Sequence, residues 1–142
     1  MSRQYISKSL RASVSREAKY RCGYCLTLAK IIGTPMEIDH IIPEALGGLT
    51  DEDNLWLACS LCNKFKADRL TAFDPVTAQM VRLFNPRTQR WQEHFRWNRD
   101  AIHIIGLTPT GRATQIALKL NRASLVEARS LWASVGWHPP AD

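Results

Sequence analysis

No run of about 18 apolar residues occurs in the chain, so nothing in it is long and apolar enough to span a bilayer as a helix. No apolar segment of signal-peptide type follows the start, so secretion is not expected and a cytoplasmic location is. Internal repeats, low-complexity tracts and long linkers are also missing. "TAFDPVTAQ", at mid-chain, is the only candidate boundary. No cysteine stands outside two matched pairs, and acidic residues are scarce in the second half. What is present is 142 residues, 45% of them apolar, which suits a folded core plus an extension. The opening "MSRQYISKSLRASVSREAKYRC" is rich in Ser and Arg with one acid, Glu17, a composition shared with transit peptides. Ile6, Leu10 and Val14 recur at helical spacing and run into the first Cys pair, so the segment is read as a helix of the fold.

The formal charge is +6 and is unevenly placed. Residues 1–75 carry 10 Lys and Arg against 9 Asp and Glu; residues 76–142 carry 9 against 4. The boundaries expected are an N-terminal helix and metal-stapled core over 1–75 and a basic, aromatic-rich extension over 76–142. The extension is expected to pack on the core as one α+β domain. A basic half of this kind suits a polyanion such as nucleic acid. A merely soluble basic surface has the same composition.

All four cysteines fall in "CGYC" (Cys22, Cys25) and "CSLC" (Cys59, Cys62), with 33 residues between the pairs. Two such pairs with no spare Cys are a metal signature. Each makes a tight knuckle offering two thiolates, and two knuckles close a tetrahedral zinc site with no open position for water. Disulfides are disfavoured in a reducing compartment, and a redox CxxC is expected once, beside a βαβ pattern. Structural zinc is therefore the reading, and its binding would be coupled to folding.

Between the knuckles lie "EIDHII", read as a strand, the Pro-Gly loop "PEALGG", the acidic turn "LTDED" and a second strand, "NLWLAC". Ser60 is placed to cap a helix starting near Cys62 and running "CNKFKADRL". An acid and a base, Asp39 and His40, sit side by side on the apolar first strand, a costly arrangement unless something pairs with them. Read singly, the Asp-His pair is a structural hydrogen bond, Asn54 a turn or cap residue and Asn63 a helix start.

Together, "DHIIPEALGG", "NLWLAC" and "CNKFK" inside two CxxC pairs resemble the HNH endonuclease family, over residues 22–70. The resemblance implies a ββα-metal (His-Me finger) core within an α+β fold. That core would be stapled by the four-cysteine zinc site, with an N-terminal helix and a C-terminal strand-hairpin plus helical extension. It implies that His40 is the general base activating water, and that Asp39 and Asn63 hold one catalytic Mg²⁺ or Mn²⁺ ion. Asn54 would orient the His-bearing backbone. The resemblance implies a bacterial or phage enzyme acting on DNA, expected to be double-stranded, with RNA as the alternative substrate, and one finger would need a homodimer or two events to cut both strands. Neighbours on a regular strand face opposite ways, so either a bulge or strand end falls here or Asp39 and His40 approach one cleft from different sides; irregular geometry is expected near His40. Glu37 is a further acid there or a solvated strand residue. Lys64 and Lys66 are phosphate contacts or surface charges.

In the second half, Val81, Leu83 and Phe84 suggest a short strand. "HFRW" and "AIHIIGL" suggest a hairpin joined by "NRD". A helix is expected from about Ala113, with Asn121 interrupting. A last helix is expected with Leu125, Ala128, Trp132 and Val135 on one face and Gly136 ending it. Arg82, Arg87, Arg90, Arg96, Arg99 and Arg112 interleave with Phe84, Trp91, Phe95 and Trp97. That composition offers phosphate contacts and stacking platforms, although most of those rings are expected in the core. Arg82, Arg87, Arg96 and Arg99 are the candidate nucleic-acid contacts, with Lys64 and Lys66. The "FNPR…W…HF" and "GRAT" stretches are similar to extensions of some bacterial HNH proteins and imply no roles. His94, His103 and His138 lack ligand spacing and are read as structural or exposed. The function expected is a metal-dependent DNA endonuclease. The alternatives are a zinc-stapled nucleic-acid-binding module without cleavage, and a redox or zinc-storage protein.

Overall fold

The computed structural model describes residues 5–141 and divides the chain into two compact units. The first runs to Leu70 and takes in Asn85–Thr88; the second comprises Thr71–Phe84 and the chain from Gln89. Thr71–Asp74 thus belong with the second unit, and "NPRT" returns to the first.

In the first unit, Ser7 caps α1 (Lys8–Glu17): its Oγ accepts from the Leu10 amide at 3.1 Å, satisfying one orphan donor of the first turn. Val14 is the fully buried member of the helical stripe. A turn through Lys19 and Tyr20, both at positive φ, leads to an isolated bridge between Arg21 and Leu28 that closes the first knuckle. A single turn, α2 (Ala29–Ile32), ends on Gly33 at φ 74°, a left-handed position that glycine takes without steric cost. β1 (Glu37–His40) then pairs antiparallel with β2 (Leu55–Ala58), from Glu37 opposite Ala58 to His40 opposite Leu55. α3 (Ser60–Lys66) follows. Its cap is Cys59 and not Ser60: the sulfur accepts from the Cys62 amide at 3.4 Å, so the knuckle itself starts the helix.

Arg87 secures the returning segment. Its Nε and Nη2 donate to the Leu55 carbonyl at 3.3 and 3.1 Å, and its Nη1 pairs with Glu17 at 2.7 Å. The guanidinium lies 5.0 Å from the centre of the Trp56 ring. The Arg87 head group therefore serves the first unit's own packing.

The second unit holds two hairpins and three helices. β3 (Thr71–Asp74) pairs with β4 (Gln79–Arg82), and β5 (Phe95–Trp97) with β6 (Ile104–Gly106), both antiparallel. The expected "HFRW" strand begins one residue later, because His94 closes a helical turn, α4 (Trp91–His94). α5 (Pro109–Ala117) starts well before Ala113. Thr108 caps it by accepting from the Gly111 amide at 3.0 Å, and Pro109 takes the first helical position, where its missing N–H costs nothing. α6 (Ala123–Ser134) is followed by Gly136 at φ 79°. The buried face of α6 is Leu125 and Arg129, whereas Val135 is exposed, unlike the expected stripe. Arg129 donates to the carbonyls of Ile102 (2.9 Å) and Leu120 (2.7 Å).

Phe84, Trp91 and Phe95 form the aromatic centre, with Phe84 and Phe95 edge-on at 5.2 Å. The "GRAT" stretch surrounds it. A Cβ on Gly111 would sit 2.0 Å from the His94 carbonyl oxygen, Arg112 pairs with Asp74, Ala113 is fully buried, and Thr114 Oγ1 accepts from the Phe84 amide.

Candidate metal centre and cleft

Cys22, Cys25, Cys59 and Cys62 are buried and free, with all four sulfurs within 4.8 Å of one another. Cys25 and Cys59 Sγ lie 3.8 Å apart. That is far beyond a disulfide bond of about 2.05 Å and matches the roughly 3.8 Å edge of a tetrahedron with Zn–S bonds near 2.3 Å. Burial pushes the Cys22 thiol up, while hydrogen bonds from neighbouring sulfurs draw Cys25 down. A closed nest of four buried sulfurs fits structural zinc, whose charge would offset that of the thiolates.

The second knuckle leads into α3, whose inner face meets β1. Glu37 and Asp39 alternate onto that face, as residues two apart on a strand must. The exposed Glu37 accepts from Asn63 Nδ2 at 2.7 Å. Asp39, only 3% exposed, accepts from the Tyr24 hydroxyl at 2.6 Å and from Lys66 Nζ at 3.2 Å. Burial pushes the Asp39 carboxyl up, against the Lys66 ammonium and the Tyr24 hydroxyl. Tyr24 is pushed well up by burial and by the Asp39 charge. Glu37 and Asn63 present hard oxygen donors, of the kind Mg²⁺ or Mn²⁺ takes, on the open part of this face, whereas both Asp39 oxygens are engaged inside, Oδ2 by Tyr24 and Oδ1 by Lys66.

Residues 22–69 match the HNH endonuclease family model. The HNH segment spans both knuckles, β1, β2 and α3, about a third of the chain. No curated protein and no solved structure matches the chain.

Within the HNH segment, β1 ends at His40 with regular pairing and no bulge, so the expected irregularity is a strand end. The imidazole points away from Asp39. Its Nε2 lies 2.9 Å from Thr50 Oγ1 and 3.2 Å from Glu44 Oε1, with Glu44 in a short 3₁₀ turn, Glu44–Leu46. Asn54 braces the loop between. Its Oδ1 accepts from the Ile42 amide at 2.8 Å, and its Nδ2 donates to the Ile42 and Leu49 carbonyls at 3.0 and 2.9 Å. An open cleft of about 660 Å³ is lined by Glu37, His40, Glu44 and Asn63, with Tyr5, Ile6 and Arg11 from the N-terminal segment and Ile38 beneath.

The structure thus brings His40 and Asn63 to one cleft and sets Asp39 behind it. Lys66 is not the surface charge its sequence neighbourhood suggests: it is 1% exposed and faces inward. Lys64, Arg82, Arg96 and Arg99 are exposed. Reading the sequence missed Tyr24, Glu44 and Thr50 as partners of the Asp-His pair. It also missed the burial of Lys66, for which a signal existed: Asn63 and Lys66 are three apart on a helix and share a face.

Proposed function

We propose that this protein is an endonuclease that hydrolyses phosphodiester bonds of double-stranded DNA, with β1, β2 and α3 as its ββα-metal finger. The observation that carries the reading is His40, held at a strand end in an open cleft beside Asn63. A carboxylate against its Nε2 makes that nitrogen the N–H donor, so Nδ1 keeps the lone pair that takes a proton from water. Asn54 fixes the backbone that carries it. Asp39 and Asn63, with Glu37 beside them, would hold a divalent ion, which when bound neutralises charge on the phosphate and leaving oxygen. Exposed Lys64, Arg82, Arg96 and Arg99 would meet the phosphate backbone. A thiolate zinc site belongs in a reducing compartment, the cytoplasm. One cleft per chain makes nicking the elementary event, and a homodimer would supply the second cut.

The test is nicking of supercoiled plasmid at low salt with Mg²⁺, with Mn²⁺ and with EDTA, beside a His40→Ala variant that retains zinc. Metal-dependent nicking that the variant loses is the expected result. Equal nicking by both proteins, or none by either, would leave a zinc-stapled binding module in its place.

A further inference from the structure

Lys66 makes more bonds than neutralising Asp39 requires. Its Nζ donates to Asp39 Oδ1 at 3.2 Å, to the His40 carbonyl at 3.0 Å and to the Ile41 carbonyl at 3.2 Å, which uses all three ammonium donors. The next carbonyl, of Ile42, accepts from Asn54. Three consecutive carbonyls, at the point where β1 leaves its partner strand, are therefore each held by a side chain. On the other edge, the Ile41 and Ile42 amides donate to the Asn54 carbonyl and side chain, both at 2.8 Å.

We propose that Lys66 is a positioning residue for His40, acting from α3 as Asn54 acts from the turn. This rests on the nuclease reading for its catalytic consequence, though not for its structural one. The β1–β2 register ends at His40, with the Ile41 amide still bonded to the Asn54 carbonyl, and the direction of the His40 side chain follows from the φ and ψ of that last strand residue. Two charge-assisted bonds to the carbonyls at and after His40 supply the constraint. The residue sits 1% exposed within a small hydrogen-bonded cage, so it is unavailable as a phosphate contact in this arrangement. If a divalent ion takes a share of Asp39, the two carbonyl bonds remain.

The experiment has two arms on the zinc-loaded full chain. In the first, Lys66→Met is compared with wild type for nicking. The expected result is kcat lower by about 100-fold, the scale of a misplaced catalytic group, with KM and DNA affinity within about threefold. In the second, amide hydrogen exchange is read residue by residue. The Ile41 and Ile42 amides keep their Asn54 acceptors, but the peptide groups that carry them lose the Lys66 bonds on their carbonyl side, so these amides should exchange roughly 10- to 100-fold faster while Leu57 in the β1–β2 ladder keeps its protection. Should Lys66→Met fail to fold with its Asp39 partner left unpaired, Asp39→Asn is compared with Asp39→Asn/Lys66→Met. Only the double variant should loosen Ile41 and Ile42.

A loss that falls on KM and DNA affinity with unchanged exchange would make Lys66 a substrate contact and overturn the proposal. Wild-type kinetics and exchange in Lys66→Met would overturn it too. Absence of nicking by wild type counts against the nuclease reading alone, and the exchange arm then decides the positioning role.

Discussion

Asn54 illustrates how much one side chain settles at the residue scale. Its carboxamide closes the loop from Ile42 to Leu49 with one accepted and two donated bonds. Gly48 lets the chain pass: a Cβ there would lie 1.7 Å from the Ile42 carbonyl oxygen. Asn54→Ala should cost about 1–3 kcal/mol, since two carbonyls and an amide lose their partner, and should lower nicking while sparing DNA affinity. Asn54→Asp should do no better, because its second oxygen would face two carbonyl oxygens. Chemical denaturation and fluorescence anisotropy on a labelled duplex measure both effects; wild-type turnover in Asn54→Ala would refute the bracing role. Asn54 was legible because its neighbours form a recognisable string. For Lys66 the helix spacing from Asn63 could signal the face it shares, but not its partners, which are backbone carbonyls more than twenty residues away.

The same contrast holds for whole elements. β1, β2 and α3 could be read because alternating apolar residues and metal-ligand spacing are local signals. The β3–β4 hairpin could not, since its polarity is inverted. Ala72 and Asp74 are buried, whereas Phe73 and Met80, facing each other across the pair, are 52% and 62% exposed. A buried carboxylate in place of an apolar residue reads as a loop. Asp74 is tolerable inside because Arg112 of α5 forms a fork with it at 2.9 and 3.0 Å, and because the Val76 and Thr77 amides and the Thr77 hydroxyl donate to it. The start of α5 was available in the sequence as Thr108-Pro109, a cap followed by a first-turn proline, and was passed over in favour of the later apolar run. Arg112 holds the Asp74 carboxyl well below the usual carboxylate range. A depressed folded-state value means that the stabilisation is complete above the unfolded value, near 4, and drains away as pH falls below it. Thermal melts from pH 6 down to pH 2 should show wild type losing its advantage over Asp74→Asn across the acid end of that range. A constant gap between the two at every pH would exclude the ion pair as its source.

At the scale of the molecule, the two units differ in what holds them. The second has an aromatic centre that includes Trp91 of α4, buried aliphatic residues from α5 and α6, and two hairpins. The first has one hairpin of four-residue strands, a ten-residue helix and a seven-residue helix, and such a hairpin has little stability of its own. Its missing cohesion lies in the four thiols, which join the segment before β1 to the segment after β2. Metal affinity in sites of this type amounts to about 10–16 kcal/mol and appears as folding free energy. Native mass spectrometry should therefore find one zinc per chain. Stripping it with a strong chelator should release β1–β2 amides to fast exchange while the β5–β6 ladder stays protected, because none of the four ligands lies in the second unit. Cys62→Ser should reproduce that pattern without chelator, and should also fray α3, whose first turn is capped through the same knuckle. Retained β1–β2 protection in the metal-free protein would mean that packing alone sustains the first unit, and the zinc would then have to be explained by something other than folding.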